Sequence, residues 1–238
     1  MLGIALLGTT LAAPASGEPQ AGRAGTTGRD AAAVPGSVNG PPAPAPPAGA
    51  ARDAEGRITL RAVRLDLRLD LDGRLDEAIY QTTPPIEDFV QQVPHEGAPA
   101  SEKTQAWIFF DDINLYFSAR CLDSHPEKIA ANELRHDSGN IFNGGDSMTL
   151  VLDTFYDHRN GVMFQTNPLG ALREQAIADG QCIESWNTVW QVRSTRFEGG
   201  WSTEMAIPFK SLRYRDGGPQ VWGINFRRVI RWKNELRV

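Results

Sequence analysis

Apolar and polar residues alternate with a period of two along most of the chain after residue 57. Successive side chains of a strand point to opposite faces, so such a row can bury one set and present the other. The clearest case runs from Gly144 to Asn167. Met148, Leu150 and Leu152 alternate with Thr149, Val151 and Asp153; beyond a polar turn at 156–161, Val162, Phe164 and Thr166 alternate with Met163, Gln165 and Asn167. The pattern predicts a β-hairpin whose loop is too long for turn type alone to set the register. Antiparallel pairing would bring Asp146, just before the first strand, beside Gln165 and Asn167 at the end of the second, on one rim of a sheet.

The same period recurs elsewhere. Leu65, Leu67, Leu69 and Leu71 alternate with Arg64, Asp66, Arg68 and Asp70, which predicts a half-buried strand with a charged outer face, stopped at Asp72-Gly73. Leu75 to Tyr80 fits one helical turn, and Asp88 to Val90 a short extended piece. Ala106, Ile108 and Phe110, then Leu115, Phe117 and Ala119, predict a hairpin across Asp111-Asp112, adjacent acids of the kind that serve a turn. Pro126 to Leu134 predicts a short helix with proline in its first turn. Further strands are expected around 171–177, 191–196, 201–207 and from Trp222 toward Ile230, separated by Gly, Asp and Pro turns. Short strands at this spacing predict an all-β fold, an antiparallel two-sheet β-sandwich with minor short helices.

The N-terminal quarter breaks the pattern. Residues 1–15 carry a short apolar run ending in the small-x-small sequence Ala13-Pro14-Ala15, as in a signal peptide, without the basic start such a segment has. Residues 16–56 are mostly Ala, Pro and Gly and cannot bury enough apolar surface to offset their ordering entropy, which predicts a disordered linker. The folded domain is therefore expected over 57–238, and an end at Val238 without a terminal signal reads as a fragment of a longer protein. A net charge of −5 and the lack of a basic patch give no footing for nucleic acid. Cys121 and Cys182 are the two cysteines; they can pair after export or stand apart as small core or loop residues.

Several segments in order carry a resemblance: LDGRLDEAIY (71–80), DFVQQVPHEGAPASEKT (88–104), FFDDINLYFSARCLDSHPEKI (109–129), VLDTFYDHRNGVMFQTNPLG (151–170), SWNTVW (185–190), GWSTEMAIPFKSLRY (200–214) and WGINFRRVIRWKNE (222–235). Together they resemble the family 9 carbohydrate-binding module, in the form found at the N-terminus of large exported bacterial proteins. Tyr80 departs from the family, which usually has tryptophan there. The resemblance implies a sandwich that binds a saccharide, often with structural calcium. It also implies a position ahead of an outer-membrane barrel-like region, hence the periplasm or outer membrane and a link to carbohydrate catabolism.

A sugar site needs flat apolar surface for the ring and polar groups for its hydroxyls. Trp186 and Trp190 are candidate ring platforms, with the core as the alternative; Trp201 and Trp222 lie in phase with apolar rows and are expected inside. Trp107 is out of phase with Ile108 and faces either outward or a second sheet. Asp146, Gln165 and Asn167 are the polar candidates, the alternative being strand-end capping. Asn140, Asn143 and Asp146 offer oxygens to calcium, with Asn143 and Asp146 as the candidate ligands, although no full calcium-loop spacing is present. Glycoside hydrolysis needs two carboxylates across one bond. Asp153 and Glu204 read instead as outward strand residues, and no nucleophile–histidine–acid set has local support. The expected role is a noncatalytic binding module. The alternatives are a structural periplasmic domain attached to a barrel, or part of a glycoside hydrolase.

Overall fold

A computed structural model describes residues 4–6, 50–52, 58–215 and 217–238. The signal segment and the linker expected over 1–15 and 16–56 fall largely outside the described residues. In chain order the strands are β1 (Ile4–Leu6), β2 (Ala50–Arg52), β3 (Ile58–Leu60), β4 (Val63–Arg64), β5 (Gln91–Val93), β6 (Thr104–Phe110), β7 (Asn114–Leu122) and β8 (Ser147–Asp153). They continue as β9 (Gly161–Thr166), β10 (Arg173–Ala178), β11 (Gln181–Ile183), β12 (Gln191–Phe197), β13 (Gly200–Pro208), β14 (Gly223–Ile230) and β15 (Glu235–Arg237). The α-helices are single turns, α1 (Ala78–Thr82) and α2 (Asn140–Asn143).

These strands form two sheets. One runs β11-β10-β9-β8-β14-β1-β3-β2, with β15 and β5 added at β14; the other runs β12-β13-β7-β6-β4. Pairing is antiparallel except between β1 and β3 and between β4 and β6. The hairpin anticipated over 144–167 is β8–β9, with Met148 opposite Thr166 and Leu152 opposite Val162. Its inward row, Met148, Leu150, Leu152 and Phe164, meets Phe117, Met205 and Ile207 of the second sheet in one core that also holds Trp201 and Trp222. Each such side chain, taken fully out of water, contributes about 1.5–3 kcal/mol.

The strand expected over Leu65–Leu71 does not form: regular pairing stops after Arg64. Leu65 and Leu69 still point inward, but they pack flat on the outer face of the second sheet, against Trp107, Phe109 and Tyr116, while Leu67 is 83% exposed. The alternation there records a cover layer without a strand partner. Tyr80 of α1 completes that layer, edge-on to Trp107 and Phe109. Trp107, expected either outward or against a second sheet, points to the outer face and is buried there by this strandless cover layer, and its indole N–H donates to the Thr83 carbonyl. The helix expected from Pro126 to Leu134 is a single 3-10 turn, Pro126–Lys128. Asp111 serves the β6–β7 turn, its Oδ1 accepting from the Ile113 and Asn114 amides. Cys121 is buried and Cys182 exposed, and neither is in a disulfide.

Candidate functional site

The rim at the start of β8 and the end of β9 holds a polar pocket of about 470 Å³. Its walls are the 131–135 segment, Asn140 of α2, the Gly144-Gly145 turn and Asn167. Gly145 is needed there because a Cβ would lie 2.5 Å from the Ala130 carbonyl oxygen. Asn167 fastens two walls together. Its Nδ2 donates to the Glu133 carbonyl at 2.7 Å, and its Oδ1 accepts from the Leu169 and Ala171 amides. Glu133 is bound through its carboxylate by Arg135 and by the Ser138 hydroxyl. Those bonds hold it well below the usual carboxylate range, so it stays an anion beside its guanidinium.

Asp146 lies behind this pocket rather than in it. It is completely buried, and Asp146 and Ala130 exchange bonds: the Asp146 amide donates to the Ala130 carbonyl at 2.7 Å, and the Ala130 amide donates to Asp146 Oδ2 at 2.8 Å. The side chain therefore clamps one pocket wall to β8. Its other oxygen, Oδ1, is buried without a partner, and burial pushes the carboxyl above its ordinary range. Asn143, at the exposed end of α2, does not touch it through any hydrogen bond among the described residues.

Gln165 belongs to a different surface, the outer face of the first sheet. The register lines up Arg227, Thr149, Gln165 and Arg173 in one row across β14, β8, β9 and β10. Gln165 is buried in this row; its Nε2 donates to Thr149 Oγ1 at 2.8 Å and its Oε1 accepts from Arg173 at 3.1 Å. Glu184 flanks Arg173 at 3.5 Å and also accepts from Gln175. At the other end Arg227 lies 4.2 Å from the ring of Phe142, which belongs to α2. Helix α2 thus serves both surfaces, with Asn140 on the rim pocket and Phe142 on the sheet face.

The two tryptophans expected as platforms sit elsewhere, at the edge of the core. Trp190 is 5% exposed, its ring edge-on to Phe164 and its indole N–H donating to Glu174 at 2.8 Å. Trp186 is half-buried against the same Phe164. Sequence reasoning missed their polar partner. The fully buried Glu174 carboxylate also meets His136 Nε2 at 3.0 Å and raises its pKa through that bond. With Asp137 these groups place three donor atoms within 4.8 Å of one another. His136 and Glu174 are 38 residues apart, so no local spacing could have joined them.

The sequence profile of the family described as "Carbohydrate family 9 binding domain-like" matches residues 71–230. No curated protein matches the chain. Among solved structures, a candidate carbohydrate-binding protein from Bacteroides uniformis ATCC 8492 is similar at 11% identity over 74% of this chain and 87% of that one, with a TM-score of 0.56. A family 9 module from Caldicellulosiruptor kristjanssonii in complex with cellotriose is 13% identical over 74% of this chain and 80% of that one, with a TM-score of 0.48. The same organism's module in complex with glucose is 13% identical over 73% and 84%, with a TM-score of 0.49.

Proposed function

The chain belongs to the carbohydrate family 9 binding domain-like family, and from that premise we propose that it is a noncatalytic domain that holds a saccharide at the rim pocket. The observation that carries this reading is the pocket itself: about 470 Å³, walled by amides, a carboxylate and a guanidinium that internal bonds already orient. Small-ligand sites typically occupy about 300–1,000 Å³ with a few fixed polar groups. Asn140 and Arg135 are exposed at the pocket and supply donors for hydroxyls, while Asn167 and Asp146 hold the walls.

Hydrolysis is disfavoured by the same geometry. Glu133 is kept ionised by Arg135 and is unsuited to donate a proton. Glu204, the carboxyl pushed up to about 7 by burial, lies beneath the cover layer of the other sheet. No second carboxylate lines the pocket.

The reading extends to place and partners. The signal-like residues 1–15 and the family resemblance support export to the periplasm or outer membrane, ahead of a C-terminal barrel, in carbohydrate catabolism. Structural calcium is part of the proposal at one point only: Asp146 Oδ1 is a buried acceptor with no close hydrogen-bond donor, and Asn143 stands three residues before it, although the Arg231 amide and the Arg228 guanidinium already favour the Asp146 carboxylate.

Binding of a folded sample to a glycan panel, followed by titration calorimetry, tests the function. Asn140→Ala should weaken the bound sugar about tenfold without lowering the melting temperature, since a net hydrogen bond is worth about 0.5–1.5 kcal/mol. Failure of a calcium-loaded sample to bind any glycan would leave a structural periplasmic domain as the better reading.

A further inference from the structure

Arg227 is an arginine without a counterpart. It is half-buried on the outer face of the first sheet, and its guanidinium makes no hydrogen bond or ion pair with any described residue. Its Nε is buried with no acceptor. Its guanidinium carbon lies 4.2 Å from the centre of the Phe142 ring. The adjacent Arg228 points to the opposite face; its Nε is also buried without an acceptor, but its terminal nitrogens are bonded. It donates to the Lys103 and Leu122 carbonyls and to Thr104 Oγ1, and lies 3.8 Å from Asp123. Burying a cation without such partners is costly unless a ligand supplies them.

A second cation shares the face. Arg173 lies three strands away in the same row, roughly 14 Å at the backbone from three spacings of about 4.7–4.9 Å. Burial lowers the pKa of Arg227; Cys182 opposes that, and Arg173 is near enough to add a smaller repulsion. Between them Thr149 and Gln165 bond to each other, and Gln165 also holds Arg173, so the floor of the row is rigid. Glu184 touches Arg173 from an exposed position and has no contact with Arg227. A guanidinium stacked on a ring is pinned in one plane, and with Nε buried its two terminal nitrogens are left to take both oxygens of a planar carboxylate.

We propose that Arg227, stacked on Phe142 at the edge of the first sheet's outer face, receives the carboxylate of an acidic saccharide, a uronic acid residue of the glycan whose neighbouring sugar lies at the rim pocket. This rests on the saccharide-binding reading and adds the class of sugar. Helix α2 joins the two surfaces, so a single chain of sugars passing over Phe142 would meet both.

The test compares a uronate-bearing oligosaccharide with a neutral oligosaccharide of the same length, by calorimetry on the whole chain at low and moderate salt. The uronate ligand should bind more tightly, and its affinity should fall as salt rises. Arg227→Gln should weaken the uronate ligand about 10- to 100-fold and leave the neutral one unchanged, as loss of a charged hydrogen bond predicts. Arg227→Lys, which keeps the charge but not the fork, should fall between; Glu184→Gln, which removes a charge that touches Arg173 and not Arg227, should change uronate binding far less than Arg227→Gln. Thermal melts of each variant establish that the domain is folded. Equal binding of neutral and acidic ligands, with no effect of Arg227→Gln, would overturn the acidic-sugar proposal while leaving saccharide binding intact. No binding of either ligand to folded protein would overturn both. Tighter binding of a sulfated oligosaccharide than of the uronate would overturn the choice of carboxylate.

Discussion

Glu204→Gln should make the domain more stable at high pH, although it removes a carboxylate that makes three hydrogen bonds. Glu204 is fully buried under the cover layer of the second sheet. It accepts from the Asp72 amide at 3.1 Å, the Gly73 amide at 2.8 Å and the Tyr80 hydroxyl at 2.7 Å. Burial outweighs those bonds and pushes its pKa from 4.5 up to about 7. A group raised in the folded state gives stability that is complete below its unfolded pKa and is lost as pH rises through the folded one. From this carboxyl the domain is therefore most favoured below about pH 4.5 and least favoured above about pH 7. At about 1.4 kcal/mol per pH step of displacement, the charged form costs roughly 3 kcal/mol at pH 8. Glutamine resembles the protonated acid: its oxygen can take the two amides and its NH2 can donate to Tyr80. The variant should match the wild type near pH 5 and exceed it near pH 8 by up to about 3 kcal/mol, or about 6–12 °C in melting temperature for a chain of this size. Melting both proteins from pH 5 to pH 8 isolates this carboxyl, because the other titrating groups are common to both. A stability difference that stays constant across that range would refute the reasoning.

Two further substitutions test the parts that hold the site. Asp146→Ala removes the clamp on Ala130 and should lower the melting temperature by about 2–8 °C, from a bond of about 1–2 kcal/mol; if calcium binds at Asp146 Oδ1, EDTA should lower the wild-type melting temperature but not that of the variant. Gly73→Ala places a Cβ 2.9 Å from the Ser194 carbonyl carbon at a φ of +84°, so it should loosen the cover layer by at least about 1 kcal/mol and raise proteolytic cleavage near residue 73.

The β8–β9 hairpin was legible because its inward row is strictly apolar, and a slip of one residue would expose the whole row. The shared rim of Asp146 and Asn167 was legible for the same reason. What their side chains do there was not, since Asp146 turns inward to Ala130 and Asn167 bridges to Glu133, contacts set by a loop with no period. Leu65 to Leu71 misled because alternation reports which residues are covered, not whether a neighbouring strand offers its edge. Trp190 was ambiguous because a tryptophan is buried readily once its N–H finds an acceptor, and that acceptor, Glu174, lies on another strand. Arg227 alternates outward from Phe226 in plain view. Its lack of a partner is a property of the whole sheet face.

The arrangement of layers narrows where recognition can occur. Both inner faces are closed by the core shared between the sheets. The outer face of the second sheet is closed by the 65–83 segment, whose Leu65, Leu69, Leu75 and Tyr80 pack on Trp107, Phe109 and Tyr116. Polar groups on that face are consumed internally: Ser118 by Tyr80, Ser202 by the Gly73 carbonyl and Glu204 by the turn above it. On the outer face of the first sheet Thr149 and Gln165 are themselves buried, and their row ends in the half-buried Arg227, whose guanidinium makes no hydrogen bond with a described residue. Buried guanidinium nitrogens without acceptors also occur at Arg228 and Arg237, so what marks Arg227 is that none of its nitrogens has a hydrogen-bond partner among the described residues, whereas Arg228 and Arg237 each have at least one. A ligand that completes the guanidinium's hydrogen bonds gives the residue a reason to be there, and this separates a binding module from a purely structural one.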